Sequence, residues 1–252
     1  MSYEVILFDL DDTLIDFAAS EMTSLRKIYE QFYQAADYTV FERMFKEINN
    51  SLWNRVGAQE APLMPRDVCF LRFKQLNEHV ECAGTTQEVA DTYDHHLGEH
   101  ADWLPDVKKT IEFLHQKGHI LGIITNGLST SQGKKQQRLG LYNWFDCFVV
   151  SDEVGIAKPH KEIFAIALEE IASKRNQPVH TYNKNSILMV GDSMISDGHG
   201  AMNFGINYCH INSKASEIKP SAASITYHIN SVAQLPACIG YEREYTHYLN
   251  SF

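Results

Sequence analysis

Residues 5–16 read VILFDLDDTLID, an apolar run that leads directly into a cluster of carboxylates. A short run of Val, Ile, Leu and Phe is typical of a strand that is buried on both faces, as in a parallel sheet. Asp9, Asp11 and Asp12 follow within four residues. Clustered carboxylates repel one another, so their proximity does not by itself stabilise a fold. The pattern therefore predicts a positive group, bound or supplied by the chain, at the end of this strand.

The 252-residue chain has the composition of a globular protein, with 44% hydrophobic and 21% charged residues. Its net charge of −10 argues against general nucleic-acid binding, which needs a basic face. A small anionic substrate is still compatible with this net charge, because a metal ion or a lysine at the site can outweigh the negative field of the whole protein. The five scattered cysteines form no Cys-x-x-Cys pair, which indicates reduced thiols. Without a signal-peptide pattern or an apolar run of about 20 residues, we expect a soluble, cytoplasmic protein.

Two kinds of pattern divide the chain. Residues 17–100 carry apolar positions spaced three and four apart, as amphipathic helices do. From residue 101 onward, apolar runs alternate with helical patterns, which predicts a doubly wound parallel sheet. We therefore expect an α/β core of residues 1–16 and 101–252, with an inserted helical domain of residues 17–100.

Four segments place polar side chains after the predicted strands or at the start of a helix. Ligand sites of open α/β sheets lie outside the carboxyl ends of the strands, so we expect these segments to meet there. Carboxylate oxygens are the ligands that Mg²⁺ favours, and threonine and lysine are suited to gripping phosphoryl oxygens. A bound Mg²⁺ would also offset the repulsion among the carboxylates. The candidates are Asp9, Asp11, Thr125, Asn126, Lys158, Asp192 and Asp197.

Four short motifs in these segments resemble a known superfamily, the haloacid dehalogenase-like hydrolases. In chain order they are DLDDT (9–13), an apolar strand ending in TN (125–126), KP (158–159) and GDSMISD (191–197). Each motif alone is weak, but all four in this order, at strand ends or helix starts, are highly specific. The resemblance implies a Rossmann-like core and phosphate-ester hydrolysis through an aspartyl-phosphate.

The resemblance also implies a role for each candidate residue. Asp9 would be the nucleophile, and Asp11 the general acid that protonates the leaving oxygen and then activates water. Thr125 would hold the phosphoryl group, with Asn126 either beside it or merely ending the strand. Lys158 would neutralise the phosphoryl group and orient Asp9. Mg²⁺ would be held by Asp9, the backbone carbonyl of Asp11 and Asp192, with Asp197 in support.

Asp11 separates branches of the superfamily, because the metal-free dehalogenases lack this second aspartate. Its presence favours phosphotransfer over cleavage of a carbon–halogen bond. Transport ATPases of the superfamily need membrane helices, which this sequence does not suggest. A phosphomutase stays open, and so does a non-enzymatic binding module of the same fold.

Residues 17–100 occupy the position of the helical cap found in the first subclass, which closes over the site and selects the substrate. Residues 122–146 and 151–164 are similar to a branch of pyrimidine 5′-nucleotidases, as are Trp53 and Arg72 with Phe73 in the cap. The expected partner is thus a small phosphorylated metabolite, a nucleoside monophosphate. A sugar-phosphate phosphatase, such as one acting on N-acylneuraminate 9-phosphate, is the alternative.

Two polar stretches receive a plainer interpretation. The run QGKKQQR at 132–138 predicts a solvated helix face. The C-terminal stretch YEREYTHYLNSF at 241–252 suggests no function.

The stretch DHHLGEH at 94–100 brings several histidines together. His96 and His100 stand four residues apart, a spacing that suits a metal on a helix. Gly98 weakens a helix there, and no third ligand is evident. We therefore favour exposed or hinge residues over a zinc site, and assign no role to His95.

Overall fold

The first strand lies inside a six-stranded parallel sheet. A computed structural model of the chain describes residues 3–58, 62–178, 182–212 and 225–251. The sheet order is β3-β2-β1-β4-β5-β6, and every neighbouring pair is parallel. The strands are β1 (Val5–Phe8), β2 (Ile120–Thr125), β3 (Cys147–Val150), β4 (Ile187–Gly191), β5 (Asn207–Ile211) and β6 (Ile225–Ile229).

β1 is uniformly apolar because it is paired at both edges and covered on both faces. All four of its residues are buried. Val5 pairs with Ile120 of β2 on one side and with Ile187 of β4 on the other. Ile6 and Phe8 pack into one apolar cluster while Val5 and Leu7 pack into another, as expected for a strand whose side chains alternate.

Eleven α-helices are present in the described residues. The first four, in the inserted segment, are α1 (Phe17–Phe32), α2 (Tyr38–Trp53), α3 (Pro65–Leu76) and α4 (Thr86–Glu99). The others are α5 (Val107–Gln116), α6 (Ser129–Leu139), α7 (Ser151–Val154), α8 (Lys161–Lys174), α9 (His199–Phe204), α10 (Leu235–Cys238) and α11 (Glu242–Leu249). None of the described helices combines the length and the apolar character needed to cross a membrane.

Helices cover both faces of the sheet. Ile111 of α5 and Tyr245 of α11 belong to the cluster on one face. Ile163 of α8 and Ala201 of α9 belong to the cluster on the other. A parallel sheet with helices on both faces is the doubly wound arrangement, so the predicted fold class is confirmed.

Helices α1 to α4 enclose an apolar core of their own. Asp16 begins α1 by accepting a hydrogen bond from Ala19 N, and Thr85 with Glu88 forms a capping box at the start of α4. The shared core is largely aromatic and contains Leu25, Ile28, Tyr33, Phe41, Phe45, Phe73, Leu76, Val80, Val89, Ala90, Tyr93 and Leu97. The segment is helical as predicted, while its division from the α/β core at residues 17 and 100 stays a prediction.

The C-terminal stretch, which suggested no function, contributes to the fold. Tyr245 of α11 places its hydroxyl 2.6 Å from Thr110 Oγ1 of α5, and its ring packs on Phe113. β6, a strand that the sequence pattern did not predict, extends the sheet beyond β5. α11 thus packs on one face of the core, and β6 forms one edge of the sheet.

Candidate active site

Three neighbouring strands end at one place. β2 ends at Thr125, β1 leads into Asp9, and β4 leads into Asp192. The chain proceeds outward from β1 through β2 to β3 and then returns to β4 on the other side of β1. Open α/β sheets bind their ligands at such a switch point, so the topology places a site at these strand ends.

Lys158 joins two of the carboxylates at this site. Its Nζ lies 2.6 Å from Asp9 Oδ1 and 2.7 Å from Asp197 Oδ1, and donates to the Ile124 carbonyl at 2.7 Å. Lys158 and Asp197 are fully buried, and Asp9 is 8% exposed. The three contacts match the three donors of an ammonium group, so Lys158 is fixed in one position.

Asn126 holds the backbone of Lys158. Its Oδ1 accepts from Lys158 N at 2.9 Å, and its Nδ2 donates to Lys158 O at 3.0 Å. The end of β2 thus sets the position of the loop that carries the lysine. A phosphate contact by the Asn126 side chain stays a prediction.

A tight turn after β4 brings Asp197 back to the strand end. Asp197 lies in a π-helical turn, Met194–Gly198, and its Oδ2 accepts from Ser193 N at 3.0 Å. A Cβ added to Gly191 would lie 2.2 Å from Asp197 Oδ2, so a glycine is needed there for the close approach.

The carboxylates outnumber the ammonium groups that contact them. Asp9, Asp192 and Asp197 each place an oxygen within 4.8 Å of the other two. Burial raises the pKa of Asp9, Lys158 opposes this shift, and the other two carboxylates add to it. Burial, followed by repulsion from Asp197, raises the pKa of Asp192 to about 7. Burial alone would lower the pKa of Lys158, but Asp197 and Asp9 outweigh burial and raise it.

If all three carboxylates are ionised, the single ammonium of Lys158 leaves two negative charges uncompensated. A divalent cation would neutralise this excess, and oxygen-only donors suit a hard ion such as Mg²⁺. The residues present therefore fit the metal that the motifs imply.

Asp11 is held by two side chains of α6. Lys135 Nζ donates to Asp11 Oδ1 at 2.7 Å, and Gln132 Nε2 donates to Asp11 Oδ2 at 2.8 Å. Gln132 Nε2 also lies 2.8 Å from Thr125 Oγ1, so one amide connects the predicted acid to the predicted phosphoryl contact. Gln132 and Lys135 are each only 1% exposed.

The prediction of a solvated face for residues 132–138 is therefore wrong at Gln132 and Lys135. α6 follows β2 after a short loop, so its first two turns lie against the strand ends instead of facing water. The signal that could have identified them is the spacing of three, which places both side chains on one helix face. Their proximity to the end of a motif-bearing strand was the second signal.

Gly127 makes room for this contact. A Cβ at residue 127 would lie 2.2 Å from Gln132 Nε2 and 2.8 Å from Gln132 Cδ. Any larger residue would displace the amide that connects Asp11 and Thr125.

The two predicted cap contacts lie in different surroundings. Trp53 is half-buried and packs against a small cluster that includes Ala157, the neighbour of Lys158. Arg72 is 4% exposed, donates from Nη1 to Asn49 Oδ1 at 2.8 Å and stacks over the Tyr93 ring at 4.3 Å. Trp53 thus packs against the cluster that contains the residue before Lys158, whereas Arg72 belongs to the interior of the helical segment. Their contact with a substrate stays a prediction.

Comparison with known proteins agrees with this geometry. A family model described as haloacid dehalogenase-like hydrolase matches residues 3–205. The chain is 29% identical over 238 residues to pyrimidine 5′-nucleotidase YjjG of Escherichia coli (strain K12), covering 93% of this chain and 97% of that protein. It is 26% identical over 239 residues to pyrimidine 5′-nucleotidase PynA of Streptococcus pneumoniae (strain ATCC BAA-255 / R6), covering 95% and 96%.

A solved structure is similar over nearly the whole chain. The crystal structure of the putative hydrolase YfnB of Bacillus subtilis superposes with a TM-score of 0.79 and 28% identity. The match covers 95% of this chain and 99% of that one. YfnB is described as bound to magnesium, with interdomain movement.

Proposed function

The chain belongs to the haloacid dehalogenase-like hydrolase family, and we propose that it is a Mg²⁺-dependent phosphomonoester hydrolase. One observation carries this proposal: Lys158 contacts both Asp9 and Asp197 in a buried cluster that also contains Asp192, so the cluster has more carboxylates than ammonium groups. A nucleophilic carboxylate held by a lysine, next to an anionic pocket suited to a divalent ion, has the parts that phosphoryl transfer needs.

Asp9 forms the new bond in the first step. A carboxylate oxygen of Asp9 attacks phosphorus, the bond from phosphorus to the ester oxygen breaks, and Asp11 gives a proton to the leaving alcohol. In the second step water attacks the aspartyl-phosphate, Asp11 takes a proton from that water, and inorganic phosphate leaves. Lys158 holds Asp9 through Oδ1 and neutralises part of the phosphoryl charge.

Asp9, Asp192 and the backbone carbonyl of Asp11 would hold the ion. Asp197 supports this set, because its two oxygens are engaged by Lys158 and by the amide of Ser193. When bound, the ion would neutralise the charge that develops on the phosphoryl oxygens. A carboxylate set alone would instead repel a phosphate dianion.

Gln132 and Lys135 position Asp11, and Thr125 contacts the phosphoryl oxygens from β2. The amide of Gln132 sets the separation between Asp11 and Thr125 through its two 2.8 Å contacts. Proton transfer depends on hydrogen-bond geometry before it depends on pKa, so this arrangement bears directly on rate.

We infer a pyrimidine nucleoside 5′-monophosphate as substrate, supported by the names of YjjG and PynA. The leaving nucleoside would lie under the helical segment, where Trp53 next to the Lys158 loop offers a ring for stacking. Arg72 would hold α2, the helix that carries Trp53, in place through Asn49, and would complete the contact with the substrate. A sugar phosphate is the alternative substrate, and a phosphomutase is the alternative reaction. The proposed setting is the cytoplasm, with a small phosphorylated metabolite as partner and neither membrane nor nucleic-acid polymer.

Phosphate release from a panel of esters tests the proposal. The panel holds nucleoside 5′-monophosphates, several sugar phosphates including N-acylneuraminate 9-phosphate, and an aryl phosphate, each with Mg²⁺ and with a chelator. We expect Mg²⁺-dependent release with a preference for UMP, dUMP and dTMP. A preference for a sugar phosphate would keep the reaction and replace the substrate. Absence of Mg²⁺-dependent release from every ester would contradict the proposed reaction.

A further inference from the structure

The last turn of α4 carries a second cluster of possible metal ligands. His96, Glu99 and His100 each place one ligand atom within 4.8 Å of the other two. Glu99 and His100 follow His96 by three and four residues, so both lie near His96 at the end of the helix. Contrary to the expectation that Gly98 would weaken the helix, α4 extends through it to Glu99. The third candidate ligand, which was not evident in the sequence, is the carboxylate of Glu99.

Two imidazole nitrogens in this cluster are shielded from solvent and unpaired. Among the described residues, His96 Nδ1 and His100 Nε2 have no hydrogen-bond partner. Glu99 Oε2 lies 3.6 Å from His96 Nδ1, which is beyond hydrogen-bond distance. Unpaired buried nitrogens destabilise a structure. A cation placed among them would satisfy both nitrogens and the carboxylate together.

The neighbours of the cluster hold Glu99 in place. His95 Nε2 lies 2.8 Å from Glu99 Oε1, and Lys134 of α6 contacts the other ring nitrogen of His95. A Cβ at Gly98 would lie 2.6 Å from Lys134 Cβ, so this glycine lets α4 lie directly against α6. Lys27 acts electrostatically on His96 and would weaken, without blocking, the binding of a cation.

The cluster also lies where the chain passes from the helical segment to the α/β core. Ser20 Oγ of α1 donates to His100 O at 2.9 Å. Asp16 N donates to Asp102 O at 3.0 Å. The segment that enters the helical region and the segment that leaves it therefore run side by side. Arg138 of α6 donates to Ala101 O at 2.7 Å. An ion at the end of α4 would therefore stiffen the junction between the helical segment and the α/β core.

We propose that His96, Glu99 and His100 bind a borderline transition-metal ion such as Zn²⁺ at this junction. Two imidazoles and one carboxylate are ligands that Zn²⁺ accepts in tetrahedral sites, with a water molecule completing the set. The oxygen-only cluster of Asp9, Asp192 and Asp197 suits Mg²⁺ instead. The two sites thus differ in the ion that they prefer.

Calorimetric titration of the tag-free full chain with Zn²⁺, in buffer with excess Mg²⁺, tests this proposal. The excess Mg²⁺ keeps the aspartate cluster occupied. The wild type is expected to bind one Zn²⁺. His96→Ala is expected to weaken this binding by about tenfold or more. Even the loss of a residue that only hydrogen-bonds to a metal ligand weakens metal binding by about 10–100-fold. Glu99→Gln, at an exposed position that leaves the helix intact, is expected to weaken it as well.

His115→Ala is the matched control, because His115 is an exposed histidine in the last turn of a different helix. It is expected to bind Zn²⁺ as the wild type does. Circular dichroism of each variant verifies that it is folded. Equal Zn²⁺ binding by the wild type, His96→Ala and Glu99→Gln would overturn the proposal, as would the absence of binding by the wild type. Loss of Zn²⁺ binding in Asp9→Asn but not in His96→Ala would assign the ion to the aspartate cluster and overturn it too.

Discussion

The ends of the central strands and the interior of the helical segment both bury charge, but they balance it differently. At the strand ends, Asp9 and Asp197 share the ammonium of Lys158, and Asp192 lies close to both carboxylates. Inside the segment, the guanidinium of Arg72 lies over aromatic rings and acts electrostatically on the carboxylate of Glu21, to which Asn49 also donates.

This difference separates a structural use of charge from a functional one. A buried charge with one opposite partner holds elements together, although its net stabilisation is small. A surplus of one sign has no such role and calls for a ligand of the opposite sign. Surplus charge, and not burial alone, is therefore the feature that points to the proposed binding site.

Asp9→Asn is the strongest way to break the site. The amide cannot form the aspartyl-phosphate, so we expect phosphate release to fall by about 10⁴-fold or more. The fold should persist, because the variant relieves repulsion among the carboxylates. Initial-rate measurements compare it with Asp146→Asn, which makes the same substitution at a half-buried carboxylate paired with Arg175. Substantial activity in Asp9→Asn would rule out the covalent mechanism.

Replacing the buried cations one at a time compares the two regions directly. Lys158→Met leaves three carboxylates without their ammonium, so we expect the free energy of unfolding to fall by about 3–5 kcal/mol without Mg²⁺. Mg²⁺ should stabilise this variant more than it stabilises the wild type. Arg72→Met should also lose stability but show the wild-type response to Mg²⁺. Urea unfolding with and without Mg²⁺ measures the loss of stability and the stabilisation by Mg²⁺. Equal stabilisation of the two variants by Mg²⁺ would contradict the distinction between the strand ends and the helical segment.

Gln132→Ala tests whether α6 positions Asp11. Without the amide, Asp11 and Thr125 lose their connection, so we expect kcat for a nucleoside monophosphate to fall by about tenfold or more. An aryl phosphate should be affected less, because its leaving group departs without a proton. Gln137→Ala, at an exposed position of the same helix, is the control. Equal losses for both substrates would point to a general disturbance of the site instead of to Asp11.

His119 offers a smaller contrast, because it is a titratable group whose neutral form is favoured by burial. Burial lowers the pKa of His119, with its contact to the Tyr3 carbonyl opposing the shift. The unfolded chain therefore binds this proton more readily than the folded one. The contribution of His119 to stability is present above its unfolded pKa of about 6.5 and declines as the pH falls below that value.

Replacing the ring checks this sign. In His119→Gln the free energy of unfolding should fall less steeply between about pH 6.5 and pH 5 than in the wild type. Denaturant titrations at several pH values, with the exposed His115→Gln as control, measure the slope. A steeper fall in His119→Gln would contradict the assignment.

Much of this arrangement was predictable because it depends on local pattern and on one topological rule. The apolar runs identified β1 to β5, and the rule that parallel strands end at one edge brought Asp9, Thr125 and Asp192 together. Lys158 was identified by the KP motif, since no periodicity in its neighbourhood indicates burial.

Other features depend on tertiary placement, which a local pattern does not contain. Gln132 and Lys135 lie in a polar run, and their burial follows from the direction in which α6 leaves β2. Glu99 became a candidate ligand only when α4 proved to continue through Gly98. β6 was missed because its apolar and polar residues alternate, as in an edge strand with one face outward.

Calorimetric titration with Mg²⁺ of the wild type and of Asp192→Asn tests the central claim most directly. If the surplus carboxylates exist to hold a divalent cation beside Asp9, the wild type binds one Mg²⁺ and Asp192→Asn binds it much more weakly. Mg²⁺ should also raise the free energy of unfolding of the wild type, because it binds only the folded site. Absence of Mg²⁺ binding by the wild type, or equal binding by both proteins, would contradict the account.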